Sequence, residues 1–258
     1  MPDLRVMCLP QALPYAEAYA RQVEEAAKLT GDSTRSATLI LLEHAPVYTL
    51  GRATKPDHLL DGSGTRALAA EVVDADRGGS VTYHGPGQLT AYLLLNLKSW
   101  NMELHRHLWN LEEVAIRTLA AFKLKGERLE GMTGVWVEAI DDLRLTIDDL
   151  TAKVCAAASS SNRQSSIVNG QYAKVCAIGV GCRRWVTYHG LSLNVDLDLA
   201  PFAAIDPCGL GRKPVTSLAQ LLGRPVAMHE AEDAVVKAFG SVLNAKIKSS
   251  PRRHEDTE

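Results

Sequence analysis

The apolar residues at the start of this chain recur with the spacing of strands and then of a helix. Short apolar runs bounded by turn residues predict strands at Leu4 to Leu9, Thr38 to Glu43 and Val47 to Leu50. Between the first two runs, Tyr15 to Leu29 has apolar residues at helical spacing. The first fifty residues therefore predict an alternation of strands with one helix.

The same alternation continues through the rest of the chain. The clearest helix is predicted at Glu103 to Lys125, where apolar residues repeat every three or four positions. Other strands are predicted between Gly79 and Gly85 and at Leu89 to Leu97, Thr133 to Val137, Lys174 to Val180 and Trp185 to Val195, and other helices at Ser217 to Leu222 and Glu230 to Leu243. A short helix leading into a strand is predicted at Ala67 to Asp74. This order predicts an α/β domain.

Residues 139–172 interrupt the alternation. This segment begins with paired aspartates and ends in the polar run Ser159 to Ser166, whose composition disfavours a packed core. We predict a single catalytic domain at residues 1–245 with 139–172 as a partly disordered surface insert. Residues 246–258 are charged and are expected to form a frayed tail.

Composition and charge narrow the class of protein. Apolar residues make up 46% and charged residues 22% of the chain, which is an ordinary balance for a soluble globular protein. The net charge of -2 gives no basic field, so we expect no nucleic-acid partner. No apolar run is long enough to cross a bilayer, so no membrane association is expected.

The N-terminus and the cysteines bear on the compartment. The N-terminus has no signal or transit pattern, so a cytoplasmic location is expected in a bacterium. A plastid or mitochondrion is expected in a eukaryote that adds a transit peptide. The five cysteines include no Cys-x-x-Cys pair, which favours free thiols in a reducing compartment and no structural zinc.

Cys208 is a candidate nucleophile. It lies between Pro207, which fixes the backbone, and Gly209, which removes side-chain cover, so a substrate can approach it closely. The alternative is a small buried core residue, because free cysteines are often buried. Lys174, at the head of an apolar strand, either lies at a sheet edge or projects into a site, where its charge would favour a nearby thiolate.

A glycine-rich stretch from Arg77 to Gln88 is a second candidate feature. Its glycines and prolines bracket one short strand and indicate tight turns, which fit either a hairpin or a backbone that lies close to a ligand. His84 and His189 both occur in Tyr-His-Gly and could face one pocket or only order their turns. Neither has close companions of ligand type, so no metal or other cofactor is expected.

Several motifs, taken in order, resemble the lipoyl(octanoyl) transferase family of octanoyl-acyl-carrier-protein:protein N-octanoyltransferases. The matching segments are Leu42 to Arg52, Arg77 to Gln88, Thr133 to Trp136, Lys174 to Gly179, Trp185 to Val195 and Pro207 to Gly209. The pairing of Arg-Gly-Gly-x-x-Thr-Tyr-His-Gly-Pro-Gly-Gln with a later Pro-Cys-Gly is highly specific. The resemblance implies the fold of the biotin and lipoate protein ligase catalytic domains, a mixed sheet flanked by helices.

The resemblance also implies roles for particular residues. Cys208 would carry the acyl group as a thioester, and Lys174 would lower the pKa of that thiol and shuttle protons. The expected wall of the acyl pocket consists of Arg77, Gly78, Gly79, Ser80, Val81, Thr82, Tyr83, His84, Ala177, Ile178, Gly179, Gly190, Leu191 and Ser192. Two features depart from the family. Leu191-Ser192 stands where Phe-Ala is common, and the family usually lacks the long insert.

The implied activity is transfer of an octanoyl group from octanoyl-acyl-carrier protein to a lysine of lipoyl domains, in lipoate biosynthesis. The expected acceptors are the lipoyl domains of 2-oxoacid dehydrogenase E2 subunits and the glycine cleavage H protein, and the enzyme is expected to be a monomer. One alternative is an ATP-dependent lipoate or biotin ligase on the same fold. Another is an inactive homologue that only binds lipoyl domains.

Overall fold

The computed structural model of the chain describes residues 1–31, 34–59, 70–138, 172–206 and 214–249. Its strands are β1 (Asp3–Cys8), β2 (Ala37–Leu42), β3 (Val47–Leu50), β4 (Glu71–Asp74), β5 (Val81–His84), β6 (Gln88–Leu95), β7 (Glu127–Leu129), β8 (Met132–Glu138), β9 (Tyr172–Arg183), β10 (Val186–Asn194) and β11 (Lys246–Ser249). Its helices are α1 (Tyr15–Leu29), α2 (Leu104–Ala121), α3 (Leu218–Leu222) and α4 (Met228–Leu243), with short 3-10 helices at Pro56–His58 and Ala200–Ala204.

Eight strands form the main sheet, in the order β11-β1-β2-β6-β10-β9-β8-β7. The β11, β1 and β2 strands are mutually parallel, and each later neighbour pairs antiparallel. Helix α1 packs on one face of this sheet and helices α2 and α4 pack on the other. The prediction of a mixed sheet flanked by helices is confirmed.

Strand β6 lies in the middle of the sheet because it is apolar on both faces. Leu89, Leu93 and Leu95 belong to the larger core, beneath α2 and α4. Tyr92 and Leu94 point the other way, into the smaller core beneath α1. The continuous apolar run read from the sequence is therefore a strand buried on both sides.

A second sheet of three strands, in the order β4-β3-β5, covers part of the α1 side. Strand β3 pairs parallel with β4 and antiparallel with β5. Tyr48 and Tyr83 form its core with Ile205, from the segment that follows β10. The gap between the two sheets contains the candidate active site.

Most predicted elements occur within a few residues of their expected bounds, and helix α1 has the bounds expected. The predicted helix at Glu103 to Lys125 ends earlier, at Ala121, since Lys123 adopts a left-handed φ of 62°. Of the predicted Ala67 to Asp74 element, the described part is the strand β4.

The expectation of a frayed tail from residue 246 was wrong for its first four residues. Lys246–Ser249 form β11 and pair with Asp3 to Val6 of β1, which closes the edge of the main sheet. Of the predicted insert, residue Tyr172 belongs to β9, and residues 139–171 lie outside the described part of the chain. Among the described residues, no helix has both the length and the apolar character needed to span a bilayer.

Candidate active site

A cavity of about 480 Å³ opens between the main sheet, the small sheet and the turn that joins β7 to β8. The residues of its floor are small, and larger side chains at these positions would fill the cavity. On this face Gly190 of β10 lies beside Gly179 of β9, and Ser192 lies beside Ala177. The β9–β10 pair is thus an open groove, whereas the neighbouring strand β6 carries Tyr92 opposite Gly190.

Gly190 could not be replaced without moving backbone. A Cβ built there would lie 2.2 Å from the carbonyl oxygen of Ala91 on the adjacent strand β6. Residue His189 just before it adopts a left-handed φ of 62°, which is unusual for a non-glycine residue. The local sequence Tyr-His-Gly therefore determines the backbone conformation of β10 as well as the surface of the cavity floor.

Arg77 holds the glycine-rich loop in place over this floor. Its guanidinium donates to the Thr49 carbonyl oxygen at 2.6 Å, to Thr49 Oγ1 at 2.7 Å and to the Ser80 carbonyl oxygen at 2.7 Å. Arg77 is 7% exposed, and burial lowers the pKa of its guanidinium. A buried cation with these neutral acceptors makes the adjoining cavity favourable for electron-rich groups.

A chain of hydrogen bonds runs from Arg77 across the cavity wall. Thr49 Oγ1 accepts from Arg77, so its own hydrogen is directed to His84 Nε2 at 3.4 Å. His84 Nδ1 then donates to Gln88 Oε1 at 2.7 Å, and Gln88 Nε2 donates to Asn194 Oδ1 at 2.9 Å. Amide oxygens only accept and amide nitrogens only donate, so the direction of each bond made by Gln88 and Asn194 is fixed.

This chain ends beside Lys174. Asn194 Nδ2 donates to the Thr216 carbonyl oxygen at 2.9 Å, and the Thr216 N–H donates to the Lys174 carbonyl oxygen at 3.0 Å. The Lys174 N–H donates in turn to the Pro214 carbonyl oxygen at 2.8 Å. The polar network therefore fixes the backbone on which Lys174 and the segment from Pro214 lie.

The Lys174 side chain lines the cavity and lies against an aromatic ring. Its Nζ is 4.5 Å from the centroid of Trp136, which is fully buried in β8. Gly134, with a φ of 117°, permits this approach, because a Cβ there would lie 2.6 Å from the Cys176 carbonyl oxygen. The Thr-Gly-Val-Trp motif thus supplies both the ring that the Lys174 ammonium contacts and the glycine beside the Lys174 side chain.

Cys208 and its neighbours Pro207 and Gly209 lie outside the described residues. The residues that immediately precede and follow 207–213 are hydrogen-bonded to residues of the site. The Asp206 N–H donates to the carbonyl oxygen of cavity-lining His58 at 2.8 Å, and Pro214 is held by Lys174.

The described cysteines do not suit nucleophilic chemistry. Cys176 is fully buried in the larger core, and burial raises the pKa of its thiol to about 12. Burial also raises the pKa of the Cys182 thiol. Cys8 is exposed on β1, which does not border the cavity. A thiol with a raised pKa holds little thiolate near neutral pH.

Aromatic and histidine rings close the end of the cavity that is farther from Lys174. The rings of Tyr15 and Tyr92 lie 5.7 and 5.9 Å from that of His44. His44 Nδ1 donates to the Leu13 carbonyl oxygen, so its Nε2 accepts from the Tyr92 hydroxyl at 2.6 Å. Burial lowers the pKa of His44 to about 4 and lowers that of His84 well below its usual value, so both rings are neutral near pH 7.

A carboxylate partners the third histidine at this end. His189 Nε2 lies 2.7 Å from Asp76 Oδ1, and the Tyr19 hydroxyl donates to Asp76 Oδ2 at 2.9 Å. The hydrogen bond from His189 is the main reason that the pKa of Asp76 falls to about 2. Asp76 is therefore a carboxylate that orients His189 and Tyr19 from outside the cavity.

The cavity carries positive charge and no carboxylate. Lys55, Arg77 and Lys174 are its cations, and no aspartate or glutamate occurs among its described lining residues. Within the described part of the chain, no cluster of three or more histidine, cysteine, aspartate or glutamate residues could hold a metal ion.

The structure brings most of the predicted pocket residues together. Arg77, Gly79, Ser80, Val81, Thr82, His84, Ala177, Ile178, Gly179, Gly190 and Ser192 all line the cavity, as does Lys174. Tyr83 packs instead in the core of the small sheet, and Leu191 packs in the larger core, because strand residues alternate between faces. Gly78 lies between Arg77 and Gly79 and is not part of the lining.

Sequence reasoning missed several residues of the site. Thr49, Gln88 and Asn194 carry the hydrogen-bond chain, while Tyr15 and Tyr92 close the far end. Gln88 ends the glycine-rich motif and was a visible signal. Asn194 and Tyr15 look like ordinary strand-end and helix-start residues, and only the folded chain places them at the cavity.

The chain matches the family model described as the lipoyl protein ligase A/B catalytic domain over residues 14–240. That match covers nearly all of the chain. The chain belongs to this family. Its curated relatives include the octanoyltransferase of Syntrophotalea carbinolica, 41% identical over 231 residues that cover 90% of each protein. The octanoyltransferase of Geobacter metallireducens is 38% identical over 91% of this chain and 92% of its own.

Solved structures of the family share the fold. The putative lipoate protein ligase of Thermoplasma acidophilum with bound lipoic acid superposes with a TM-score of 0.65, covering 96% of this chain and 89% of its own. Its sequence identity of 15% supports the architecture alone. The predicted class of enzyme, an acyltransferase of the octanoyltransferase kind, is confirmed by the curated relatives.

Proposed function

We propose that this chain accepts an octanoyl group from octanoyl-acyl-carrier protein as a thioester on Cys208 and passes it to a lysine of a lipoyl domain. Its acceptors are the lipoyl domains of 2-oxoacid dehydrogenase E2 subunits and the glycine cleavage H protein. Membership of the lipoyl protein ligase A/B family and relatives named octanoyltransferase support this activity.

The placement of Lys174 is the observation that carries the proposal. This lysine lines a cavity that has no carboxylate among its described lining residues, and its backbone holds Pro214 at one border of residues 207–213. At the other border, Asp206 is held by cavity-lining His58. Cys208 is two positions after Asp206 in the sequence, which supports its assignment to this site.

In the first step the Cys208 thiolate attacks the thioester carbonyl of the octanoyl donor. The new carbon–sulfur bond forms at Cys208, the bond to the carrier thiol breaks, and that thiol leaves and takes up a proton. The positive charge of Lys174 favours the attacking thiolate. One thioester replaces another, so the free energy changes little and no ATP is needed.

In the second step the amine of the target lysine attacks the Cys208 thioester. An amide bond forms and the carbon–sulfur bond breaks. The amine loses two protons as it becomes an amide, and one of them goes to the departing Cys208 thiolate, which returns as a thiol. A lysine with a pKa near 10.4 is only about 0.04% deprotonated at pH 7, so an acceptor must take its proton during attack. Lys174, once it has given its proton to the departing carrier thiol, fills that role.

Intact mass spectrometry after incubation with octanoyl-acyl-carrier protein tests the covalent step. We expect a mass increase of one octanoyl group on the wild type, its removal by hydroxylamine, and no such adduct on Cys208→Ser. Unmodified wild-type protein that still transfers octanoate would contradict the thioester. Product formed from free octanoate and ATP, without carrier protein, would favour a ligase instead.

The same assay tests Lys174. Lys174→Met keeps an aliphatic stem against Trp136 but removes the charge and the proton donor, so we expect loss of both thioester formation and transfer. Lys125→Ala is the matched control, since Lys125 is exposed and pairs with Glu127 away from the cavity. Full activity in Lys174→Met would exclude its assigned role.

A further inference from the structure

One polar group at the far end of the cavity has no partner. The hydroxyl of Tyr15 is buried and has no hydrogen-bond partner among the described residues, and the Tyr15 side chain lines the cavity and is 7% exposed. Leaving a buried hydroxyl without a hydrogen bond is unfavourable, because the group has lost its bonds to water. Such a group in a cavity wall is suited to bond a ligand.

The neighbouring polar groups are already occupied. The Tyr92 hydroxyl donates to His44, His189 pairs with Asp76, and Arg77 donates to Thr49 and Ser80. At this end of the cavity, the Tyr15 hydroxyl is therefore the one whose hydrogen is not already donated to another described residue.

The position of Tyr15 relative to Lys174 indicates which part of a ligand it meets. Lys174 and Gly179 lie five residues apart on the same strand, β9. Gly179 pairs with Gly190, which pairs with Tyr92, and both Tyr92 and Tyr15 pack on His44. An acyl chain whose reacting carbonyl lies near Lys174 thus directs its tail toward Tyr15.

We propose that Tyr15 makes the cavity a binding site for medium-chain acyl groups whose terminal carbon carries a hydrogen-bonding group, such as an ω-hydroxyl. This inference rests on the proposed acyl transfer for the orientation of the chain. A terminal methyl leaves the Tyr15 hydroxyl unbonded, whereas a terminal hydroxyl bonds it. The substrate class therefore includes ω-functionalised chains as well as octanoyl.

A carboxylate at the tail is a poorer occupant. Its full charge would have to leave water, and the donors of the nearby Arg77 guanidinium already bond Thr49, Gly78 and Ser80. A neutral hydroxyl loses less on desolvation and needs only the one bond that Tyr15 offers.

The test compares two chains of equal length. The 8-hydroxyoctanoyl and nonanoyl groups differ only in a terminal hydroxyl against a terminal methyl, and each is presented on acyl-carrier protein. We expect the ratio of their kcat/KM values, hydroxylated over plain, to fall roughly tenfold in Tyr15→Phe. Tyr19→Phe is the matched control, because the Tyr19 hydroxyl bonds Asp76 and Tyr19 does not line the cavity. It should leave the ratio unchanged.

A binding measurement keeps this inference separate from the transfer reaction. Calorimetric dissociation constants of free 8-hydroxyoctanoate and nonanoate should show the same selective loss in Tyr15→Phe, whether or not the protein transfers octanoyl. Equal ratios in the wild type and Tyr15→Phe would overturn the inference. Failure of all thioester substrates with an intact binding preference would instead count against the proposed function.

The melting temperature of the empty protein supplies a further check. Phenylalanine at position 15 removes an unbonded buried hydroxyl, so we expect the melting temperature of Tyr15→Phe to equal or exceed that of the wild type. A clear decrease would mean that this hydroxyl already has a structural partner and would also overturn the inference.

Discussion

Gly190 illustrates how one residue sets both the packing of the sheet and the space above it. Its missing side chain lets β10 approach β6, and the same absence leaves the cavity floor open. Neighbouring Gly78 belongs to the same expected pocket but is packed more loosely, since a Cβ there would meet only the Val180 carbonyl oxygen at 3.5 Å.

The contrast between these two glycines gives a prediction. Gly190→Ala should lower the free energy of unfolding by about 2–3 kcal/mol, because two central strands must separate to accommodate the methyl group. Gly78→Ala should change it by less than about 0.5 kcal/mol, the usual effect of a substitution without a steric conflict. Urea denaturation of both variants measures the difference. Equal effects would contradict the close approach of β10 to β6.

At the residue scale, the sequence could identify which residue types matter but could not fix their directions. The motif around Arg77 predicted a pocket wall, and most of it lines the cavity. Tyr83 and Leu191 were expected there too, yet they point into cores. A motif covers consecutive residues, whereas a strand turns every second side chain away.

Strands β3, β5, β6 and β10 each contribute one member to the hydrogen-bond chain. Thr49, His84, Gln88 and Asn194 come from these strands in turn, and the chain ends on the Thr216 carbonyl next to Lys174. The two sheets are thereby linked through polar side chains, in addition to the backbone bond from the Gly78 N–H to the Val180 carbonyl oxygen at 2.9 Å.

Asn194→Asp should break this link at its last bond. An aspartate still accepts from Gln88 but cannot donate to the Thr216 carbonyl, and two acceptors would then face each other. We expect thioester formation at Cys208 to slow about tenfold and stability to fall by about 1–3 kcal/mol.

Gln220→Ala provides the control for this variant. It removes the bond from Thr216 Oγ1 to Gln220 Oε1 while leaving the Thr216 carbonyl bonded to Asn194. Its rate of thioester formation should stay near that of the wild type. Similar losses in both variants would show that general loosening of α3, and not the polar chain, controls the rate.

At the element scale, periodicity predicted the helices and the buried strands well. The three short strands of the small sheet were predicted, but their separation into a second sheet was not. Strand β7 was missed because it has only three residues. Strand β11, which is also short, was mistaken for a tail. Its sequence alternates lysines with Ile247 and Ser249. This pattern indicates a strand only when its partner β1, at the opposite end of the chain, is known.

Three buried histidines make the stability of the whole molecule depend on pH. Burial lowers the pKa of His44 and of His107 from 6.5 to about 4, and that of His84 well below 6.5. The unfolded chain binds protons at these residues near pH 6.5, while the folded chain does not. The free energy of unfolding therefore falls as the pH decreases from about 6.5 toward 4.

His107 separates this effect from the active site. Both of its ring nitrogens are buried without a partner among the described residues, and it lies in α2 outside the cavity lining. We expect a loss of about 2 kcal/mol per buried histidine between pH 7 and pH 5. His107→Leu should reduce that loss in urea denaturation, and His105→Leu, at an exposed position, should not. An unchanged pH dependence in His107→Leu would contradict the lowered pKa.

At the scale of the whole molecule, the ordered motifs could predict the mixed sheet, its flanking helices and the family. They could not predict which strands of the second sheet cover the floor of the first. That arrangement depends on long-range contacts, such as the one between Tyr48 and the Pro201 carbonyl oxygen, which are 153 positions apart. Local sequence carries no record of such a contact.

The pairing of Glu138 with Tyr172 offers a use for this protein in biosensor engineering. These two residues are paired across β8 and β9. The two ends of an inserted module would therefore attach to neighbouring positions of the sheet. Lys174 lies two positions beyond that junction. A ligand-responsive module inserted there, with termini that separate when its ligand leaves, would pull β8 from β9 beside Lys174. Acyl transfer would then report the concentration of an unrelated molecule.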